Sequence, residues 1–419
     1  MKNKLNVWLL KISEPLPLRP DVKLMRTGIL AQKLADRGHT VTWWTSAFGH
    51  SKKEWVRDFD KNSELSVSEN YKITGLRGCG YSKNFSVRRY IDHEMVAQRF
   101  AAEAQKRAPP DIVVASMPSH NLAFSAASYA NRRGIPFIVD IRDPWPDAFL
   151  FHLPVPLQPV ARVVLYRDFK ILKNALRMAG AMTAVSGTLL AWGLSRVPRV
   201  RTPADMVFPL GYQKIKIRDY SKIECKFAGL KKILNEKFIV LYIGALSGKY
   251  HDPSILISAA KILRDTQGIH FIIGGDGELA PSLKKEAAAL DNITFTGWLN
   301  HEEMEYFLSM AKVGMCPAVR TVNNTSNKIY AYLSAGLPIV SSFAGDAKKL
   351  VEERKAGFYC PPRDVESMLS GIRNLYRDKN MYNNMSEAAL LSYKEMFDAD
   401  KIYADYSDYI EAMAAKKEV

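Results

Sequence analysis

Short apolar runs alternate with helix-patterned stretches along almost the whole chain, and this alternation is the strongest constraint on its fold. The first half reads "LNVWLLKI", a helix through "VKLMRTGILAQKLADRG", then "TVTWWTS", "DIVVAS", "PFIVDI" and "AMTAVS". A second series runs "FIVLYIG", "HFIIGG", "NITFTG", "VGMCP", "PIVSS" and "GFYC", again with helices between. A strand–helix–strand rhythm of this kind predicts largely parallel sheets covered by helices on both faces. The chain has 419 residues, 47% of them apolar, enough to bury two cores. The expected fold class is α/β, two doubly wound Rossmann-like domains in tandem. The first spans residues 1–205 and the second 206–394, with helices from about 395 to 419 returning to the first. The crossover falls in 200–235, where Pro203, Pro209 and Gly211 punctuate a polar stretch.

No run approaches the roughly 18 apolar residues of a membrane-spanning helix. "LNVWLLKI" is too short, and too soon interrupted by Lys11, for a signal peptide. Cys79, Cys225, Cys316 and Cys360 are scattered, without C-x-x-C or ligand-spaced histidines, so neither a disulfide framework nor a metal site is expected. These features read as a cytoplasmic protein. The formal charge of +16 is concentrated: residues 1–200 hold 30 Lys and Arg against 16 Asp and Glu. A basic half suits nucleic acid, an anionic membrane or a phosphorylated substrate. No helix-turn-helix, RNP-like strand or zinc finger accompanies it, so membrane and pyrophosphate partners rank above nucleic acid.

In open parallel sheets ligands bind beyond the carboxyl ends of the strands. Two facing domains would form a cleft there. One candidate is "NNTSNKIYAYLSAGLPIVSS", residues 323–342, a loop–helix–turn–strand unit. The backbone N–H groups of Ser326, Asn327 and Lys328 would open its helix, where unpaired donors and the helix dipole favour a phosphate. "YIGALSGKYHDPS" offers Gly244, Gly248 and Lys249 in a loop before a helix. Lys249 reads either as a diphosphate partner or as a solvated loop lysine.

"GGDGE" places Gly275 and Gly277 where backbone approaches a ligand, with Glu278 set to accept from sugar or ribose hydroxyls. Through Ala280 it also fits G-x-G-x-x-A. A dinucleotide fingerprint opens the first βαβ unit of its domain, and this stretch follows a second strand, so a dehydrogenase is rejected.

"DIRDPWPDAF" ends a strand with Arg142 and Asp143, either a structural ion pair or an acceptor-orienting acid/base pair. His120, after "ASMPS", is a second acid/base candidate, whereas His39 reads as turn packing. Residues 159–178 form a basic amphipathic helix with Arg162, Arg167, Lys170, Lys173 and Arg177 on one arc and Val164, Leu165, Phe169, Ile171, Leu172 and Leu176 opposite. Such a helix lies either on an anionic bilayer or with its apolar side on the sheet.

"RGHTVTWWTS", "DIRDPWPDA", "GGDGE", "FTGW", "NKIYAYLSAGLPIV" and "AGF" together resemble the GT-B glycosyltransferases of family 4, in the branch that builds bacterial surface polysaccharides. The resemblance spans nearly the whole chain and is strongest over 238–375. It implies a retaining, metal-independent and cofactor-free transfer from a nucleotide-sugar, UDP foremost, to a polyprenyl-diphosphate-linked or glycan acceptor. The first domain would take the acceptor and the second the donor. Lys249 and Ser326–Lys328 would hold the diphosphate, Trp298 would stand near the base, and Glu278 would reach the donor. Family members often carry two glutamates eight residues apart; Asn323 and Ala331 occupy those positions here. Where many members place a histidine after the fifth strand, this chain has Arg142 and Asp143. A sugar-nucleotide epimerase of the same fold and a non-catalytic donor- or lipid-binding subunit are the alternatives.

Overall fold

A computed structural model of the chain describes residues 4–19, 22–60, 63–83, 86–150, 153–215, 217–248, 251–321 and 326–415. The chain divides into two compact units, Met1–Leu210 with Asp400–Val419, and Gly211–Ala399.

The first unit contains β1 (Asn6–Leu10), β2 (Thr40–Ser46), a small hairpin of β3 (Phe48–Gly49) and β4 (Glu54–Trp55), β5 (Glu64–Ser68), β6 (Tyr71–Leu76), β7 (Ile112–Met117), β8 (Phe137–Ile141), β9 (Ala181–Ala184) and β10 (Met206–Val207). Eight of these form one sheet in the order β10-β9-β8-β7-β1-β2-β6-β5. Every pairing in it is parallel except the edge pair β5 and β6. Val7 pairs with Val41 on one side and Ile112 on the other, so β1 is central and apolar on both faces. Beneath one face Trp8 and Trp44 meet edge-on at 5.0 Å between ring centres, while Trp8 stacks on Tyr129 at 5.3 Å.

The C-terminal helix Ala399–Ala415 belongs with this sheet. Arg37 pairs with Asp408 and Glu411 at 2.8 Å each, and Tyr406 Oη lies 2.8 Å from Thr183 Oγ1. His39 does more than pack a turn: its Nδ1 accepts from the Leu5 amide at 3.1 Å and its Nε2 lies 3.1 Å from Glu411.

The basic segment departs from the expected single helix. It breaks at Leu165 into Gln158–Val164 and Tyr166–Met178. Leu172 and Leu176 are buried as expected, but Val164 is 75% exposed. The second helix is fixed by Asp168, buried against His120 at 2.6 Å, so its apolar side faces inward and the first helix turns away. Among the described residues no helix is long and apolar enough to cross a membrane.

The second unit holds β11 (Phe238–Ile243), β12 (Ile269–Gly274), β13 (Ile293–Gly297), β14 (Val313–Cys316), β15 (Ile339–Ser341) and β16 (Gly357–Tyr359). They form an all-parallel sheet ordered β13-β12-β11-β14-β15-β16. Its core gathers Val240, Tyr242, Phe271, Ile273, Met315 and Val340 with the helices Ser254–Ile262 and Val365–Arg377.

Candidate active site

In the second sheet the strand order reverses between β11 and β14, the place where an open α/β sheet leaves a crevice for ligand. Tyr332 ties its two walls together. The hydroxyl accepts from the Ile243 amide at 3.0 Å and donates to the Met315 carbonyl at 3.2 Å, joining the ends of both strands. Tyr332 lies on the helix Asn327–Ser334, so this clamp also sets where that helix begins.

Lys328, in the first turn, runs along the end of β11. A Cβ at Gly244 would collide with its Cε and Nζ, so the glycine leaves the room that the ammonium fills. Nζ lies 2.9 Å from His251 Nε2 and 5.1 Å from the centre of the Tyr242 ring. Burial lowers the Lys328 pKa to about 8. Burial and the neighbouring Lys328 push His251 down to about 4. Two basic groups thus share one proton in a half-buried recess, a setting that an arriving anion would relieve. Ser326 is the N-cap residue, with extended backbone and no side-chain cap bond, and Asn327 beside it is exposed. First-turn amides and a lysine converge at this crevice.

The other expected donor contacts fall into distinct groups. Gly275 and Gly277 have φ of +144° and +156°, but what approaches them is the chain itself: a Cβ would strike the Gly244 carbonyl or, at 2.6 Å, the Leu246 carbonyl. They let the loops after β11 and β12 interlock, with Leu246 N donating to Asp276 O at 3.0 Å and Leu279 N to Leu246 O at 2.8 Å. Glu278 is exposed on the turn that follows, and Trp298, 74% exposed, follows β13. Lys249 and Asn323 lie outside the described residues. Ala331 is buried. His251 was not singled out in the sequence; its position in the loop after β11, between Lys249 and Asp252, was the available signal.

In the first unit Arg142 is a strut. It donates to Asp140 at 2.8 Å, Thr27 Oγ1 at 2.9 Å and Ser116 Oγ at 2.7 Å, and pairs with Glu14. Asp140 in turn takes Arg26 at 2.9 and 3.1 Å. Burial alone would raise the Asp140 pKa; Arg26 and Arg142 outweigh it and hold the carboxyl well below its usual range. Asp143 is exposed at the end of β8, where the surrounding protein raises its pKa against the pull of Lys11 and Arg142. His120 is buried and held by Asp168. Arg142 and His120 are thus tied into the framework, while Asp143 is exposed beside Arg142.

Residues 237–378 match the family of glycosyl transferases group 1. The fold is that of GT-B glycosyltransferases. Anabaena HepE, solved in complex with UDP, superposes with a TM-score of 0.65 at 14% identity, covering 97% of this chain and 99% of that one. The α-D-kanosaminyltransferase of Streptomyces kanamyceticus is 25% identical over 196 residues, 46% of this chain and 50% of the relative. The O-antigen chain mannosyltransferase C of Escherichia coli is 23% identical over 204 residues, 48% of this chain and 53% of the relative. The chain thus spans about half the length of the curated relatives it matches.

Proposed function

We propose that this chain is a retaining glycosyltransferase that moves a sugar from a nucleotide-sugar, UDP being the expected carrier, to a lipid-linked or oligosaccharide acceptor in bacterial surface polysaccharide synthesis. The observation that carries this is Lys328 beside Gly244 at the β11/β14 crevice, next to the first turn of its own helix. Cleaving the glycosidic bond to a nucleotide diphosphate leaves charge on the departing β-phosphate. A fixed ammonium and oriented amides stabilise that charge as it develops. The match to group 1 glycosyl transferases and the UDP complex of a structural neighbour support a nucleotide-diphosphate seat. The Escherichia coli O-antigen relative supports a surface glycan. No metal or cofactor is invoked.

Incubation with UDP-, GDP- and dTDP-sugars, with and without membrane extract, tests the reading. Acceptor-dependent nucleotide release with a mass gain of one sugar supports transfer. An isomerised donor would point to epimerisation, and saturable binding without turnover to a non-catalytic subunit.

Peripheral contact with an anionic membrane is part of this proposal. Val155, Val160, Val163, Val164 and Tyr166 are each more than 60% exposed, beside the exposed Arg162, Arg167, Lys170, Lys173 and Arg177. Apolar side chains can enter the interface while the cations meet anionic head groups.

A further inference from the structure

The strand order of the first sheet also reverses, between β1 and β7. There Lys11, just past β1, donates to the Pro118 carbonyl just past β7 at 3.2 Å. Basic groups from neighbouring strand ends collect around two aromatic rings on the same rim. His50, in the turn of the β3–β4 hairpin, lies 2.6 Å from Tyr81 Oη. Lys53 lies 3.3 Å from His50 Nδ1 and 5.2 Å from the Tyr81 ring centre. Arg89 and His93 come from the first turns of the helix Val87–Ala104. The Arg89 guanidinium sits 4.8 Å from the Trp145 ring centre and 5.6 Å from that of Tyr81. His93 stacks on Trp145 at 5.9 Å.

Lys11 donates to the Pro118 carbonyl, His50 meets the Tyr81 phenol, and Lys53 reaches His50 Nδ1 and donates to the His50 carbonyl. His93 is 5% exposed and its Nε2 has no hydrogen-bond partner. Of the carboxylates nearby, Asp92 accepts from the Gly80 amide at 2.7 Å, Glu14 holds Thr27 and Arg142, and Asp140 takes Arg26 and Arg142, while Asp143 at the end of β8 offsets part of the charge of Lys11. Gathering this many bases in a half-buried place is unfavourable by itself. Burial and the neighbouring Arg142 push Lys11 down to about 8 against the pull of Glu14, Asp143 and Asp140, and burial with repulsion from Arg89 and Lys11 pushes His50 to about 4 and His93 to about 3. An orphaned buried imidazole beside a crowd of cations is what a bound anion would satisfy.

We infer that Lys11, His50, Lys53, Arg89 and His93 form the seat of a phosphate or diphosphate group on the acceptor, with Trp145 and Tyr81 walling it. The inference rests on the glycosyl-transfer reading for the word acceptor; the anion site itself stands on the first unit alone. Bound phosphate oxygens would take donors from Lys11, Lys53 and Arg89 and raise the imidazole pKa values, so binding should draw protons from solution.

The test is calorimetric titration of the full chain, saturated with UDP, with inorganic pyrophosphate and separately with farnesyl diphosphate. At pH 7 we expect saturable binding with net proton uptake, measured by repeating it in buffers of different ionisation heat. Affinity should drop at least tenfold in both Arg89→Gln and Lys53→Gln. Tighter binding of farnesyl diphosphate assigns the site to a lipid-linked acceptor, and equal binding to the anion alone. No binding of either probe, or binding that both variants leave unchanged, overturns the inference. Circular dichroism and thermal melts of the variants separate a lost site from a lost fold. The preceding UDP titration reports separately on the donor reading: pyrophosphate binding in a chain that ignores UDP leaves the anion site standing and removes the transferase.

Discussion

Lys328 Nζ and His251 Nε2 lie 2.9 Å apart at the crevice between β11 and β14. One residue opens a helix and the other follows a strand, so only the folded sheet brings them together. With Lys328 titrating near pH 8, the pair carries about one positive charge at neutral pH.

That value fixes a pH dependence. A diphosphate binds the ammonium form and raises its pKa in the complex, so affinity is highest below pH 8. Above it, affinity should fall by up to about tenfold per pH unit for one linked proton. Titrations of UDP between pH 6.5 and 9.5 check this, and Lys328→Met should flatten the profile.

Arg142 should behave as framework. Removing it takes the ion-pair partner from buried Glu14, leaving only the Thr27 donors, and one of two guanidinium partners from Asp140, a loss of about 3 kcal/mol. Urea denaturation of Arg142→Met should show that loss. A variant of wild-type stability with activity abolished would return Arg142 to a catalytic role.

Asp140 sets an acid limit for the first unit. Its pKa is depressed in the fold, so its stabilisation is complete above the unfolded carboxylate value, about 3.9, and is lost as pH falls toward the folded one. Stability measured by urea from pH 7 to pH 3 should decline at the acid end, less steeply in Asp140→Asn, which starts from a lower plateau.

Gly275 needs both its positive φ and its missing Cβ. Gly275→Ala drives a methyl into the Gly244 carbonyl and should cost at least about 2 kcal/mol. Chemical denaturation measures the cost, and UDP affinity should fall with it because the displaced loop carries Gly244.

The paired series of apolar runs made both sheets legible, and the runs read as strands in the second unit became β11–β16. Helix 327–334 was likewise visible, because Ser326 opens it and Gly336 closes it at a φ of +68°. Pairings across long sequence separations were not legible. Nothing local joins His251 to Lys328, His120 to Asp168 or Arg26 to Asp140. Glycine at a strand end signals close backbone approach, and at Gly277 the chain's own Leu246 carbonyl makes that approach, a contact with no local sequence signal. The segment 159–178 has a helical pattern throughout, and its break at Leu165 carries no Pro or Gly signal in the sequence.

The exposed segment around residues 155–166 makes a salt-dependent expectation. The protein should sediment with anionic vesicles at low salt, and Val160→Asp with Val163→Asp should reduce the bound fraction severalfold without changing the melting temperature, since both positions are exposed. No sedimentation at low salt would remove the membrane contact.

The most direct measurement is calorimetric titration of UDP and of uridine into the wild-type chain and Lys328→Met at pH 7. The account predicts UDP binding in the wild type, weakened on the order of tenfold or more in the variant, with any uridine binding unchanged. UDP affinity that is the same in both proteins would contradict the diphosphate seat at Lys328.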